Sequence, residues 1–171
     1  AVRAAITPRT RAVLAMDYAG QPARYEALAR IAREHNLELL ADGCHALGAS
    51  RDGAAAGSLA RMTAFSFHPV KAISAGEGGA VATDDPELAG RLRRFRSHGI
   101  DRDARQRQTA GSWEYDVVEL GYNYRISDLN CALARSQLRR LSEFLERRRE
   151  IAAYYDRMLG MEPGIEPLEV D

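Results

Sequence analysis

The sequence predicts an α/β fold built on a mostly parallel sheet, and three features carry that reading. Short apolar runs bounded by charge alternate with longer segments of helical period. The first strand–helix–strand set, 11–41, requires a right-handed crossover, which places its two strands parallel. Polar residues gather at the carboxyl ends of strands, where open α/β sheets hold their ligands: Asp42, Ser66 and Lys71 fall at or just after such ends.

In chain order, Arg11 to Asp17 reads as a short buried strand. Tyr18-Ala19-Gly20-Gln21-Pro22 is a turn, with Pro22 suited to the first position of a helix running to about Asn36. Within that helix Tyr25, Leu28, Ile31 and Ala32 recur at helical spacing, with arginine and glutamate on the other face. Leu37 to Ala41 is the second strand, and Asp42 stands at its end. Met62 to Phe67 and Gly79 to Thr83 are further strands, after which Asp84-Asp85-Pro86 caps a helix through about Ser97. Gly99 to Glu114 is polar, arginine-rich and without clear period, which predicts a long mobile loop. Ser127-Asp128 opens a helix to about Leu138, and a second covers Leu141 to about Leu159.

The bulk properties exclude several classes. The 171 residues are 46% hydrophobic and 28% charged with a formal net charge of zero. Bulk charge therefore favours neither nucleic acid nor an anionic membrane surface. The two cysteines, Cys44 and Cys131, form no CxxC pair, which points to a reducing, cytoplasmic setting. No apolar run reaches the length of a membrane span, and Arg3, Arg9, Arg11 and Asp17 do not suit a signal peptide. The absence of a starting methionine and the character of Glu162 to Asp171 predict an internal fragment.

The chain is organised around Ala64-Phe65-Ser66-Phe67-His68-Pro69-Val70-Lys71, which leads into the glycine-rich turn Gly76-Glu77-Gly78-Gly79. Lys71 is the only lysine, and Phe65, Phe67 and Val70 give it apolar company. An amine that attacks a carbonyl must be neutral, so such surroundings suit Schiff-base chemistry. The competing explanation is one lysine retained by chance in an arginine-biased composition. Asp42, at a buried strand end, needs a cationic partner, and a protonated pyridine nitrogen is one. A turn or helix-cap aspartate is the plainer alternative. The glycine turn precedes a strand and is not the GxGxxG dinucleotide fingerprint. Cys44, His45 and His68 lack metal-ligand spacing, so no metal is expected. Arginines 91, 93, 94, 96, 102, 105 and 107 could hold phosphates or simply form a solvated helix face and loop.

Five stretches, in order and spacing, resemble the DegT/DnrJ family of sugar-nucleotide aminotransferases that depend on pyridoxal 5′-phosphate (PLP). They are 17–22, 41–49, 65–71 with its lysine, 76–80 and Gly121-Tyr122-Asn123-Tyr124-Arg125. Each is weak alone; the ordered set is specific and covers nearly the whole chain. His68-Pro69-Val70-Lys71 and Ser97-His98-Gly99-Ile100 point within the family to the branch that serves pseudaminic acid synthesis.

The resemblance implies a fold-type I PLP-dependent transferase, with 1–130 as the C-terminal portion of its large domain. Residues 131–171 would be connecting helices and the truncated start of the small domain. It implies that Lys71 forms the internal aldimine and shuttles the proton, that Asp42 pairs with the pyridine nitrogen, and that His45 lies beside the cofactor ring. Ser66 would donate to the cofactor phosphate, and Asn123 would reach the phosphate of the partner subunit in a homodimer with shared sites. Arg125 would neighbour a substrate carboxylate. Glutamate as amino donor and a UDP-linked 4-keto sugar as acceptor follow from the same likeness. Lysine at 71 argues for transamination, since a dehydratase branch has histidine there. Arg61 stands where an aspartate is common, and Cys44 replaces a small apolar residue. The family's earlier phosphate-binding turn and ring-stacking aromatic have no counterpart in these residues. Two other functions remain open: a non-catalytic interaction module, and a nucleotide- or phosphate-binding domain of unrelated chemistry.

Overall fold

The computed structural model describes residues 1–102 and 104–166. The end of the 131–171 segment therefore lies outside the described residues. A short helix α1 (Val2–Ala5) precedes β1 (Ala12–Met16), a single turn at Tyr18–Gly20, α2 (Tyr25–Glu34) and β2 (Glu38–Asp42). A two-residue hairpin follows, β3 (Ser50–Arg51) and β4 (Ala54–Ala55), then β5 (Met62–Ser66) and β6 (Gly79–Ala82). The remaining helices are α3 (Pro86–Phe95), α4 (Ala104–Ala110), α5 (Asp128–Leu138) and α6 (Leu141–Leu159). No described helix is long and apolar enough to cross a membrane.

The main sheet has the order β1-β2-β5-β6, with β1, β2 and β5 parallel and β6 antiparallel to β5. The expected mostly parallel α/β sheet is therefore present. Alternation along the strands sends one set of side chains to the core and the other to the opposite face. Ala15, Leu39 and Ala41 are buried with Tyr25 and Ala32 of α2, while Val13, Leu28 and Leu37 complete the cluster. On the opposite face Leu14, Met16 and Val81 are exposed. Parallel sheets are ordinarily covered on both sides, so within this chain one face stands bare.

Register decides what that face presents. Met16 pairs with Asp42, Asp42 with Ala64, and Ala64 with Val81, which puts the four in one row. Ser66, two residues beyond Ala64, points to the same side. Asp42 and Ser66 thus share the bare face at the carboxyl edge of the parallel strands.

Besides the unforeseen α1, three elements differ from expectation. Helix α2 begins at Tyr25 and not at Pro22. The reason is Asp17, whose Oδ1 accepts the Ala23 N–H at 3.0 Å and the Tyr25 hydroxyl at 2.7 Å, drawing 21–24 out of helical geometry. The expected loop at 99–114 contains α4, whose sequence Ala-Arg-Gln-Arg-Gln-Thr-Ala carries no apolar stripe to betray it. The hairpin β3–β4 went unforeseen because two-residue strands cannot show alternation. Its turn, Asp52 (φ 51°) and Gly53 (φ 80°), has the left-handed pair that joins tight hairpins. The capping expectations hold: Asp85 accepts from Glu87 N at 2.9 Å and Leu88 N at 3.1 Å, with Pro86 first in α3. Ser127 Oγ accepts from Asn130 N at the start of α5. A division after residue 130 falls inside the first turn of that helix.

Candidate active site

Asp42 ends β2, the strand flanked on both sides by parallel neighbours, and so stands on the most constrained backbone of the sheet. Its Oδ1 accepts the Cys44 N–H at 3.0 Å, while its own carbonyl accepts Asp17 N at 2.9 Å. Hydrogen bonding from Cys44, side chain first and backbone next, holds the Asp42 carboxyl below the usual carboxylate range, and charge on His45 and Lys71 adds to this. The carboxylate is thus kept ionised. The Cys44 thiol is pushed the other way, up to about 11, first by burial and then by Asp42. Cys44 is therefore a neutral donor beside the carboxylate.

His45 is oriented from behind. Its Nδ1 accepts the Ala19 N–H at 3.2 Å, and its ring stands edge-on to Tyr18 with centroids 5.6 Å apart. An accepting Nδ1 places the proton of the neutral imidazole on Nε2. Ala19 has φ 54° and ψ 18°, left-handed geometry that costs a non-glycine residue about 1 kcal/mol. The turn spends that strain on aiming an N–H at His45. This explains why the 17–22 stretch, which sequence reading marked without assigning a role, belongs to the site.

Lys71 is half-buried on the segment between β5 and β6, with its N–H donating to His68 O at 2.9 Å. Lys71 and His45 line a cavity of about 460 Å³ with Gly20, Val70, Arg148 and Arg149. Arg148 also donates to Ala72 O at 3.3 Å, so α6 reaches back onto the lysine's own segment. Sequence reading missed the two arginines, since nothing local links α6 to residue 71. Ser66 ends β5, and its Oγ accepts the His68 N–H at 3.3 Å, which leaves its hydroxyl hydrogen free to donate elsewhere.

Asn123 and Arg125 are not brought to this group. Asn123 bridges Ser97 and is exposed between Tyr122 and Tyr124, whose rings stack at 4.9 Å with Phe95 edge-on to Tyr122 at 5.0 Å. Arg125 lines a larger cavity of about 1000 Å³ between β6, α3 and the start of α5, which contains neither Asp42 nor Lys71. Of the arginines that could hold phosphates, Arg93 and Arg96 line that same cavity with Arg125, while three others have separate tasks. Arg94 pairs with Glu119 at 2.6 Å, Arg102 with Asp101 at 3.7 Å, and Arg107 covers the Tyr115 ring at 4.8 Å. Arg61 bonds Glu38 and lies 3.6 Å from Asp85, tying the start of β2 to the cap of α3 at the protein surface.

The arrangement resembles known aminotransferases in sequence and in fold. A Campylobacter jejuni UDP-4-amino-4,6-dideoxy-N-acetyl-beta-L-altrosamine transaminase is 41% identical over 146 residues, which is 85% of this chain and 37% of the relative. Helicobacter pylori PseC, an aminotransferase involved in the biosynthesis of pseudaminic acid, superposes with a TM-score of 0.86 at 35% identity over 95% of this chain and 42% of its own. A Streptococcus pneumoniae protein solved in a PLP form gives 0.84 at 27% identity over 94% of this chain and 44% of its own. The chain thus spans about two fifths of such relatives, and its fold is the fold-type I aminotransferase fold. The family model for DegT/DnrJ/EryC1/StrS aminotransferases matches residues 1–171, and the chain belongs to that family.

Proposed function

We propose that the protein containing this chain is a PLP-dependent transaminase that aminates a UDP-linked 4-keto sugar, with glutamate as amino donor. The observation that carries this reading is that Lys71 and a back-oriented His45 line one cavity and both act by charge on the ionised Asp42 at the end of β2. These donors fit the cofactor: Asp42 makes no ion pair among the described residues, and its charge suits a protonated pyridine nitrogen. PLP supplies, when bound, an aldehyde for the amine and a ring that withdraws electrons from a carbanion.

Each residue then has one task. Asp42 holds positive charge at the ring nitrogen. His45, with Nδ1 accepting from Ala19, would offer its Nε2 hydrogen to the cofactor ring. Lys71 Nζ would hold the cofactor's aldehyde carbon, and as a free amine would take and return the proton in both half-reactions. The Ser66 hydroxyl, free to donate, serves the phosphate. Asn123, exposed and apart from Lys71, serves the phosphate of a second subunit in a cytoplasmic homodimer, and Arg125 a substrate carboxylate. The division of the chain into 1–130 of the large domain and 131–171 leading into the small one belongs to the same reading.

The test is the visible absorbance of the full-length protein with added PLP, against Lys71→Ala. The expected result is a band that the variant lacks and that glutamate bleaches. No band in the folded parent refutes the transaminase reading; a band indifferent to every amino donor favours a non-catalytic member of the family.

A further inference from the structure

The segment 67–78 that carries Lys71 is closed on itself. Phe67 N donates to Gly78 O at 2.8 Å, Ala75 N to Phe67 O at 2.8 Å, and Gly76 N to Ser74 Oγ at 3.1 Å. These bonds are internal. Among the described residues, the hydrogen bonds to later elements come from two side chains, Arg148 at Ala72 O and Asn130 of α5. Asn130 Nδ2 donates to Ala75 O and, at 3.2 Å, to Glu77 O, across more than fifty residues of sequence.

The orientation of that amide is determined by the two carbonyls, which only accept and so require Nδ2; Oδ1 then accepts the Ser127 hydroxyl. The reverse assignment would set an oxygen against two oxygens. The glycine turn is shaped to the same contact. Gly76 has φ +76°, and a Cβ there would stand 3.3 Å from Asn130 Nδ2. At Gly78 a Cβ would come within 2.7 Å of Ile126 Cδ1. Both glycines let the turn lie against the start of α5, and Ala75 beneath them is fully buried.

We infer that Asn130 is a positioning residue for Lys71: by gripping Ala75 O and Glu77 O together it fixes the turn that anchors the Lys71 segment, and so sets where the amine stands relative to Asp42 and His45. The inference depends on the transaminase reading for what Lys71 does; the grip is a property of the cofactor-free fold. It is separable from capping. The N-cap bond of α5 runs from Asn130 backbone N to Ser127 Oγ at 3.2 Å and survives removal of the amide. Loss of the amide leaves two carbonyls without their donor and frees the segment at one of its two ties. Misplacing a reacting group by about 1 Å can cost on the order of a hundredfold in rate.

The experiment uses the full-length protein with Asn130→Ala, Asn130→Asp and Asn130→Gln. In the cofactor-free state, amide hydrogen exchange is followed by peptide, and acylation of Lys71 by an amine-selective reagent is followed by mass. Exchange across 67–79 should rise by roughly tenfold in the Ala and Asp variants, with strand peptides unchanged and the melting temperature lowered by no more than a few degrees. Lys71 acylation should shift severalfold in the same two variants, and Gln, which keeps the donor, should recover part of both. With PLP bound, kcat should fall by roughly ten- to a hundredfold while KM for both substrates holds within about threefold. Unchanged exchange and acylation in both Ala and Asp overturns the inference. So does exchange that rises equally over the whole sheet, which marks a general folding role. A parent that takes up no PLP refutes the transaminase reading separately, and the exchange comparison still decides the grip.

Discussion

Removing the Asp17 carboxylate should destabilise the fold at the start of α2. Asp17 is only 1% exposed, and its Oδ1 accepts the Tyr25 hydroxyl at 2.7 Å and the Ala23 N–H at 3.0 Å. A hydrogen bond to a charged group contributes about 1.5–3 kcal/mol, and a buried donor left unpaired costs about 1–3 kcal/mol. Tyr25 is 4% exposed, so its hydroxyl has no ready access to water. Asp17→Ala should therefore destabilise by about 3–5 kcal/mol, and Tyr25→Phe, which strands no donor, by about 1.5–3 kcal/mol. Urea denaturation of the full-length protein reads both, and the double variant should recover about 1–2 kcal/mol of their sum. The pH dependence has a defined sign. Burial, then the bond to Asp17, raises the Tyr25 pKa above its ordinary 10.0. The folded state thus holds that proton more tightly. The contribution is complete below pH 10 and is lost as pH climbs toward the folded value. A Tyr25→Phe variant within 0.5 kcal/mol of wild type would refute the reasoning, because the buried pair would then carry no net stability.

Two further outcomes follow from buried polar atoms. Thr63 is 1% exposed and its Oγ1 has no hydrogen-bond partner among the described residues, so Thr63→Val, which keeps the shape and removes the orphan, should stabilise by about 1 kcal/mol in the same urea assay. Cys44, its thiol raised to about 11, should be alkylated at pH 8 roughly a hundredfold more slowly than an ordinary thiol. Exposed Cys131 gives the internal comparison by peptide mass.

Features encoded locally were legible in the sequence. The strands and α2 announce themselves by apolar period, and Asp85 and Ser127 announce helix starts through a preference that acts within three residues. Asp42 and Lys71 could be paired in thought because strand ends in a parallel sheet converge on one edge. What was hidden depends on partners distant in sequence. The start of α2 shifted because Asp17, outside the helix, claims the Ala23 N–H. Asn130 and Arg148 reach the lysine segment across 55 and 76 residues, and no local pattern encodes a contact of that span. The β3–β4 turn was within reach: Asp52-Gly53 is a hairpin signal that lacked flanking strands long enough to give it meaning.

The same division between near and distant partners separates the two halves of the candidate chemistry. Asp42 stands on a strand bonded to parallel neighbours on both sides, so its position is as firm as the sheet. Lys71 stands on a segment tied to later helices through Asn130 and Arg148. A group that must hold a fixed charge gains from the first arrangement. A group that must take up a proton at one atom and release it at another gains from the second, provided the ties keep its excursion small. The two parts of the candidate site are thereby separable by mutation. Substitution at Asp42 should alter the charge of the site and leave the lysine segment in place. Substitution at Asn130 should move the lysine and leave that charge intact.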